Sequence, residues 1–209
     1  GRLNRVNFWG KLLAETFYLI LDQWVRINEV ENSKGASSMY SAKKMTYSAL
    51  FLAFGLIVPQ AFHLFGGTGP VFLPMHIPVL LAGFFLGGPS GAIIGLVTPI
   101  LSSLVTAMPV PPILYFMMAE LTAYGFLAGF LYKSKKNSIY VALIGAMIGG
   151  RIILAAAVTL LQPLLGLKLS PMVYLSGALL NGIPGMILQL ILIPGLVKLL
   201  ERSNQFTPA

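Results

Sequence analysis

The sequence predicts an all-α polytopic membrane protein: a compact bundle of six transmembrane helices with both ends of the chain on the cytoplasmic side. Three observations carry that prediction. From His76 to Tyr132 there is no lysine, arginine or aspartate and a single carboxylate, Glu120. A water-soluble domain would not go so long without solvating charge, whereas a bilayer core about 30 Å thick asks for roughly 20 apolar residues per crossing. The chain as a whole is 56% hydrophobic and 10% charged, with a mean hydropathy of +0.83, a balance found in polytopic membrane proteins. The basic residues, finally, are distributed asymmetrically between the loops, as set out below.

Residues 1–44 differ from the rest and hold seven of the fourteen basic residues and four of the six acidic ones. Phe8, Leu12, Phe17, Leu21, Trp24 and Val25 recur at helical spacing, which suits an amphipathic helix lying on a membrane surface. The other reading is an expression-derived remnant or a poorly ordered extension. Asn32 to Ser38 has linker composition, and Met39 could itself begin a membrane protein; the six-helix membrane domain is expected over 45–202, with a tail over 203–209.

Six hydrophobic segments are expected. The first runs from about Met45 to Phe65, with Pro59 kinking or ending its regular part. A Gly/Pro-rich loop, Gly66 to Pro70, leads to the second, about Phe72 to Gly87. Gly88-Pro89-Ser90 is read as a tight turn into the third, Gly91 to Ala107, and Met108 to Pro112 as a further reversal. The fourth spans Ile113 to Tyr132, the fifth Ser138 to Leu161 and the sixth Met172 to Leu200. Segments two and three are short for a crossing, so tilt or irregular ends are expected there.

If the first segment starts inside, that side holds Lys43, Lys44, Lys133, Lys135, Lys136, Lys198 and Arg202, against Lys168 alone outside. Seven against one is a strong positive-inside bias and gives the N-in, C-in topology. The same scatter through short loops and chain ends argues against nucleic acid as the partner of the +8 net charge. Gly91 and Gly95, Gly125 and Gly129, and Gly145 and Gly149 are spaced for close helix approach.

Two charges lie well inside the hydrocarbon. Glu120 is roughly 18 Å above the cytoplasmic end of its segment and Arg151 roughly 20 Å above the end of its own. Asn181 comes to the same level from the other side. Three polar groups on three helices at one depth predict a cavity open to the exterior. Glu120 and Arg151 either pair to fix the bundle or touch a ligand, and the two are compatible because a paired arginine keeps further donors. Tyr124 is one turn from Glu120, with Phe116 and Met117 on its other side, forming either a pocket wall or an ordinary packing face. His76 opens segment two, as a structural hydrogen-bonder or as a ligand contact. Thr98, Ser102 and Ser103 are expected to satisfy backbone carbonyls, and Gln189 to serve as interhelical glue. The expected site is therefore His76, Glu120, Tyr124, Arg151 and Asn181.

Enzymatic chemistry has little support. There is no Gly-rich phosphate loop ending in Lys-Ser or Lys-Thr, no His-Glu-x-x-His and no serine with a plausible base. His63 and His76 lack neighbouring carboxylates and cysteine is absent, so no metal and no cofactor is expected. If ATP drives this protein, another subunit hydrolyses it.

At this point the sequence resembles a substrate-binding S component of an energy-coupling-factor (ECF) vitamin transporter. The resemblance covers residues 39–202 and rests on three features. Ala49-Leu50-Phe51-Leu52-Ala53 matches the family's Ala-x-x-x-Ala signature. His76 to Phe84 is followed by Gly91 to Pro99, and Met108-Pro109 by Ala119-Glu120-Leu121-Thr122-Ala123-Tyr124-Gly125. The resemblance implies docking on a shared transmembrane coupling subunit through Ala49 and Ala53. It also implies capture of a vitamin from outside under a cap at about His63 to Pro74, and toppling in the membrane, with two ATPase subunits powering release inward. It places the protein in a prokaryotic plasma membrane. Gly150-Arg151 offers one cation for an anionic group and the walls are mainly apolar, which favours pantothenate. Trp9 and Trp24 lie only in the extension, so a tryptophan-rich thiamine pocket is not expected. Cobalamin, lipoate and a queuosine precursor also fit. The competing class is a stand-alone carrier for a small organic anion with Glu120 as its proton-coupling carboxylate, although no inverted repeat is evident. An intramembrane enzyme using Glu120 and His76 lacks a second catalytic group at matching depth.

Overall fold

The computed structural model describes residues 36–64, 69–164 and 171–202, and side chains over a slightly narrower range. The expectations for Phe8 to Val30, for Lys168, for the side chain of His63 and for the tail lie outside these residues. The chain divides into two units, Gly1–Thr46 and Tyr47–Ala209. In the first, the described backbone is helical from Ala36, and Thr46 Oγ1 donates to Ala42 O at 3.0 Å. The expected linker is thus helix over its last three residues.

Helix α1, Ala36–Leu64, passes through Pro59, which does not end it. A single turn, α2 (Gly69–Phe72), takes up the end of the expected loop and the start of segment two. Segment two proper is α3, His76–Leu86, whose 11 residues span roughly 16 Å. That is about half a bilayer core, shorter than the segment from Phe72 to Gly87 and in line with the irregular ends expected there. Leu73, with φ 49°, and Pro74 interpose a turn that delays the helix to His76.

The reversal into α4, Gly88–Thr106, is made by Gly87 alone, with φ 87° and ψ 171°. The residues read as a turn are instead the first turn of α4, because proline at the start of a helix forfeits only an amide that has no intrahelical partner. Ala107, left-handed at φ 58°, closes α4. Ser102 Oγ donates to Met108 O at 2.8 Å, tying down the reversal that follows. Helix α5, Ile113–Gly129, continues as a π-helical turn, Phe130–Ser134, from which Lys133 Nζ donates to Phe85 O at 2.6 Å. Helices α6, Ile139–Leu164, and α7, Pro171–Arg202, complete the bundle. Four helices, α4, α5 with its π turn, α6 and α7, are long and apolar enough to cross a membrane, and no strand occurs among the described residues. The all-α polytopic class is thereby met.

The glycine pairs divide by role. A methyl added at Gly91 would run into Gly125 O, one at Gly125 into Gly91 O, and one at Gly95 into Leu121 O. Gly83 of α3 joins the same seam, where its Cβ would stand 2.5 Å from Gly125 O. Three backbones therefore meet with no side chain between them, the contact through which membrane helices gain dispersion energy when lipid gives no hydrophobic drive. Gly145 and Gly149 work differently, receiving the side chains of Leu131 and Leu127. Helix α1 joins this group through Gly55, whose Cβ would stand 2.5 Å from Thr98 Cγ2, and through Phe51, stacked on Phe85 at 6.1 Å.

Candidate functional site

Two apolar clusters fill unit two. The larger holds Val79, Leu80 and Phe84 of α3, Leu121 and Ala128 of α5, Leu143 and Met147 of α6, and Ile193 and Val197 of α7. The smaller holds Phe116, Leu154 and Val158, with Tyr174, Leu175 and Ala178 packed on it. Between them in sequence, on each of α5, α6 and α7, lie the residues of one polar layer. On α5, Glu120 follows Phe116 by a turn; on α6, Arg151 precedes Leu154 by a turn; on α7, Gly182 follows Ala178 by a turn.

In that layer Arg151 Nη1 stands 3.0 Å from Glu120 Oε1, with both side chains largely buried. The contact is an ion pair by distance and lies outside hydrogen-bond alignment. His76, the first residue of α3, brings Nε2 to 3.5 Å from the same oxygen, and its backbone N–H donates to Leu73 O at 3.1 Å. Its ring meets Tyr124 edge-on, with centroids 4.8 Å apart and planes at 88°. Tyr124, wholly buried, brings the Cδ2–Cε2 side of its ring against α6 where Gly150 has no side chain. Four residues singled out from the sequence, His76, Glu120, Tyr124 and Arg151, thus converge from three helices.

The cluster is rich in unused hydrogen-bonding capacity. Both His76 nitrogens, Glu120 Oε1, the Tyr124 hydroxyl, and Nε and Nη2 of Arg151 are buried without a hydrogen-bond partner among the described residues. In a membrane interior each such group costs free energy comparable to a lost hydrogen bond, on the order of 1–3 kcal/mol. Nε and Nη2 together form the edge of a guanidinium that grips a carboxylate side-on. Arg151 therefore has two nitrogens, Nε and Nη2, buried without a hydrogen-bond partner among the described residues, while Nη1 faces Glu120.

A family model described as the substrate-specific component of the ECF transporter matches residues 43–197. The chain belongs to that family. No curated protein matches the chain, and neither does any solved structure. As an S component it is the substrate-specific subunit of an ECF importer, a membrane transport protein.

The remaining expectations divide. Asn181 is exposed on α7, whereas its neighbour Gly182 is buried and abuts Arg151. Thr98 Oγ1 donates to Ile94 O at 2.6 Å, the backbone role expected of it. Gln189 is wholly buried, and neither of its amide atoms finds a partner among the described residues, so it makes no interhelical hydrogen bond there. The sequence reading missed Tyr174, which meets Phe116 edge-on at 5.3 Å, and Leu73, whose Cδ1 converges with Arg151 Nη2 on Gly182. Tyr174 carries a usable signal, two turns before Gly182 on the same helix. Leu73 carries none, because a loop residue has no periodicity to read.

Proposed function

We propose that this S component captures a small water-soluble vitamin carrying a carboxylate, pantothenate first among candidates, from outside the cell. The observation that carries the reading is the Nε and Nη2 edge of Arg151, buried without a hydrogen-bond partner among the described residues beside the Nη1 ion pair to Glu120. A carboxylate takes that fork in two charge-assisted hydrogen bonds. Hydroxyl and amide groups of the same ligand meet Glu120 Oε1, His76 and the Tyr124 hydroxyl, and its apolar part faces Phe116. The segment from about His63 to Pro74 caps the ligand, with both chain ends on the cytoplasmic side of a prokaryotic plasma membrane. Delivery follows by toppling against a coupling subunit that meets Ala49, which is exposed, and Ala53, which is half-buried. Two separate ATPase subunits drive the cycle. Small residues at these positions leave a smooth face on which helices approach and part.

Isothermal titration of the detergent-purified protein with pantothenate tests this. Arg151→Ala should weaken binding by about 1.5–3 kcal/mol, the worth of a hydrogen bond to a charged group. Arg151→Lys should fall between, since it keeps the charge and loses the planar fork. Folded variants that both bind as tightly as the parent would remove Arg151 from the site. Co-purification of the coupling subunit and ATPases separates this assembly from a carrier acting alone.

A further inference from the structure

We infer that Gly182 is a positioning residue for the substrate site, holding the Arg151 guanidinium where its unpartnered Nε and Nη2 edge can take an oxoanion. The inference rests on the reading of Arg151 as the anion contact. It starts from what each glycine of the bundle would meet if it gained a methyl. In the α3, α4 and α5 seam the obstacle is backbone, which cannot yield. At Gly182 the obstacles are Arg151 Nη2 at 2.7 Å and Leu73 Cδ1 at 3.2 Å, both the far ends of flexible side chains. A methyl at 182 is therefore absorbed by displacing the guanidinium rather than by opening the fold.

That displacement has a defined consequence. Arg151 reaches Glu120 with Nη1 at 3.0 Å while Nη2 rests against the α7 backbone. The guanidinium is planar, so its three nitrogens move as one body. Pushing Nη2 off α7 shifts Nη1 against Glu120 and re-aims the Nε and Nη2 edge together. The loss falls on ligands that use the charge, and spares those that use only the apolar wall and the neutral hydrogen-bonding groups. Gly177, on the same helix one and a half turns away, has nothing within 4 Å of its would-be Cβ and serves as the control for adding a methyl to α7.

The test combines a ligand-free cycle with a pair of probes. Thermal midpoints are measured in detergent for Gly182→Ala, Arg151→Gln, the double variant and Gly177→Ala. A positioning role predicts that Gly182→Ala lowers the midpoint in the parent and does not lower it further in the Arg151→Gln background, because the group it displaces is gone. Gly177→Ala should leave the midpoint unchanged or raised. Equal decrements in the two backgrounds would make Gly182 a packing residue and overturn the inference. Affinity is then measured for pantothenate and for its alcohol analogue, which lacks the carboxylate. Gly182→Ala should weaken pantothenate by about tenfold or more and the alcohol by less than about twofold, a difference of at least about 1 kcal/mol. Equal loss for both probes would also overturn it. A parent protein that binds neither compound refutes pantothenate as the substrate, and the ligand-free cycle still decides the role of Gly182.

Discussion

Glycine serves opposite ends in two parts of this bundle. Between α3, α4 and α5, Gly83, Gly91, Gly95, Gly125 and Gly129 remove side chains so that backbone can lie on backbone. Around the polar layer, Gly150 and Gly182 remove side chains so that another side chain can lie on backbone: the Tyr124 ring on α6 and the Arg151 guanidinium on α7. The seam is a rigid joint, because the atoms a methyl would strike belong to helices fixed along their whole length. The polar layer is a set of sockets, where the atoms struck belong to side chains: the Tyr124 ring at Gly150 and the end of Arg151 at Gly182. The same residue type thus admits backbone in one region and side chains of the proposed site in the other, and what decides is the identity of the atom opposite.

Gly125→Ala should show the largest effect. Its Cβ meets Gly91 O and the carbonyl carbon behind it, so α4 and α5 must separate. The cost should exceed about 4 kcal/mol, the range reserved for named structural failures, and the variant should aggregate on size-exclusion chromatography in detergent. A monodisperse variant with the parent's thermal midpoint would show that the seam is soft and erase the distinction. Gly150→Ala should fall in the middle. The Tyr124 ring it strikes is wedged between α6 and His76, which meets it edge-on, so the ring has little room to retreat. Overpacking of about 1–3 kcal/mol is expected, seen as a lowered thermal midpoint in a protein that still folds, together with weakened ligand binding. Unchanged binding would place Tyr124 in packing alone. Gly195→Ala should do least, since nothing lies within 4 Å of its would-be Cβ. The helix-propensity gain of about 0.5–1 kcal/mol should leave the midpoint equal to the parent's or slightly higher. A clear loss there would mean that lipid or a partner helix reads that position.

The sequence by itself determined how far along each helix a polar group sits, because rise per residue is constant and loops mark the ends. Counting from the loops put Glu120 and Arg151 at one depth, and the structure pairs them. It likewise determined that Gly91, Gly95, Gly125 and Gly129 mark close helix approach, since spacing by four is a property of one helix alone. Tertiary structure decided everything that depends on rotation about a helix axis and on what stands opposite. Asn181 is exposed, while Gly182, one residue on and about 100° round the axis, takes the place beside Arg151. Segment two was apolar enough to read as a crossing, yet a turn at Leu73 leaves it a helix of 11 residues. Hydrophobicity reports where lipid or core can be, and in a bundle that is apolar both inside and out it no longer distinguishes one face from the other. Only packing against a particular neighbour does that.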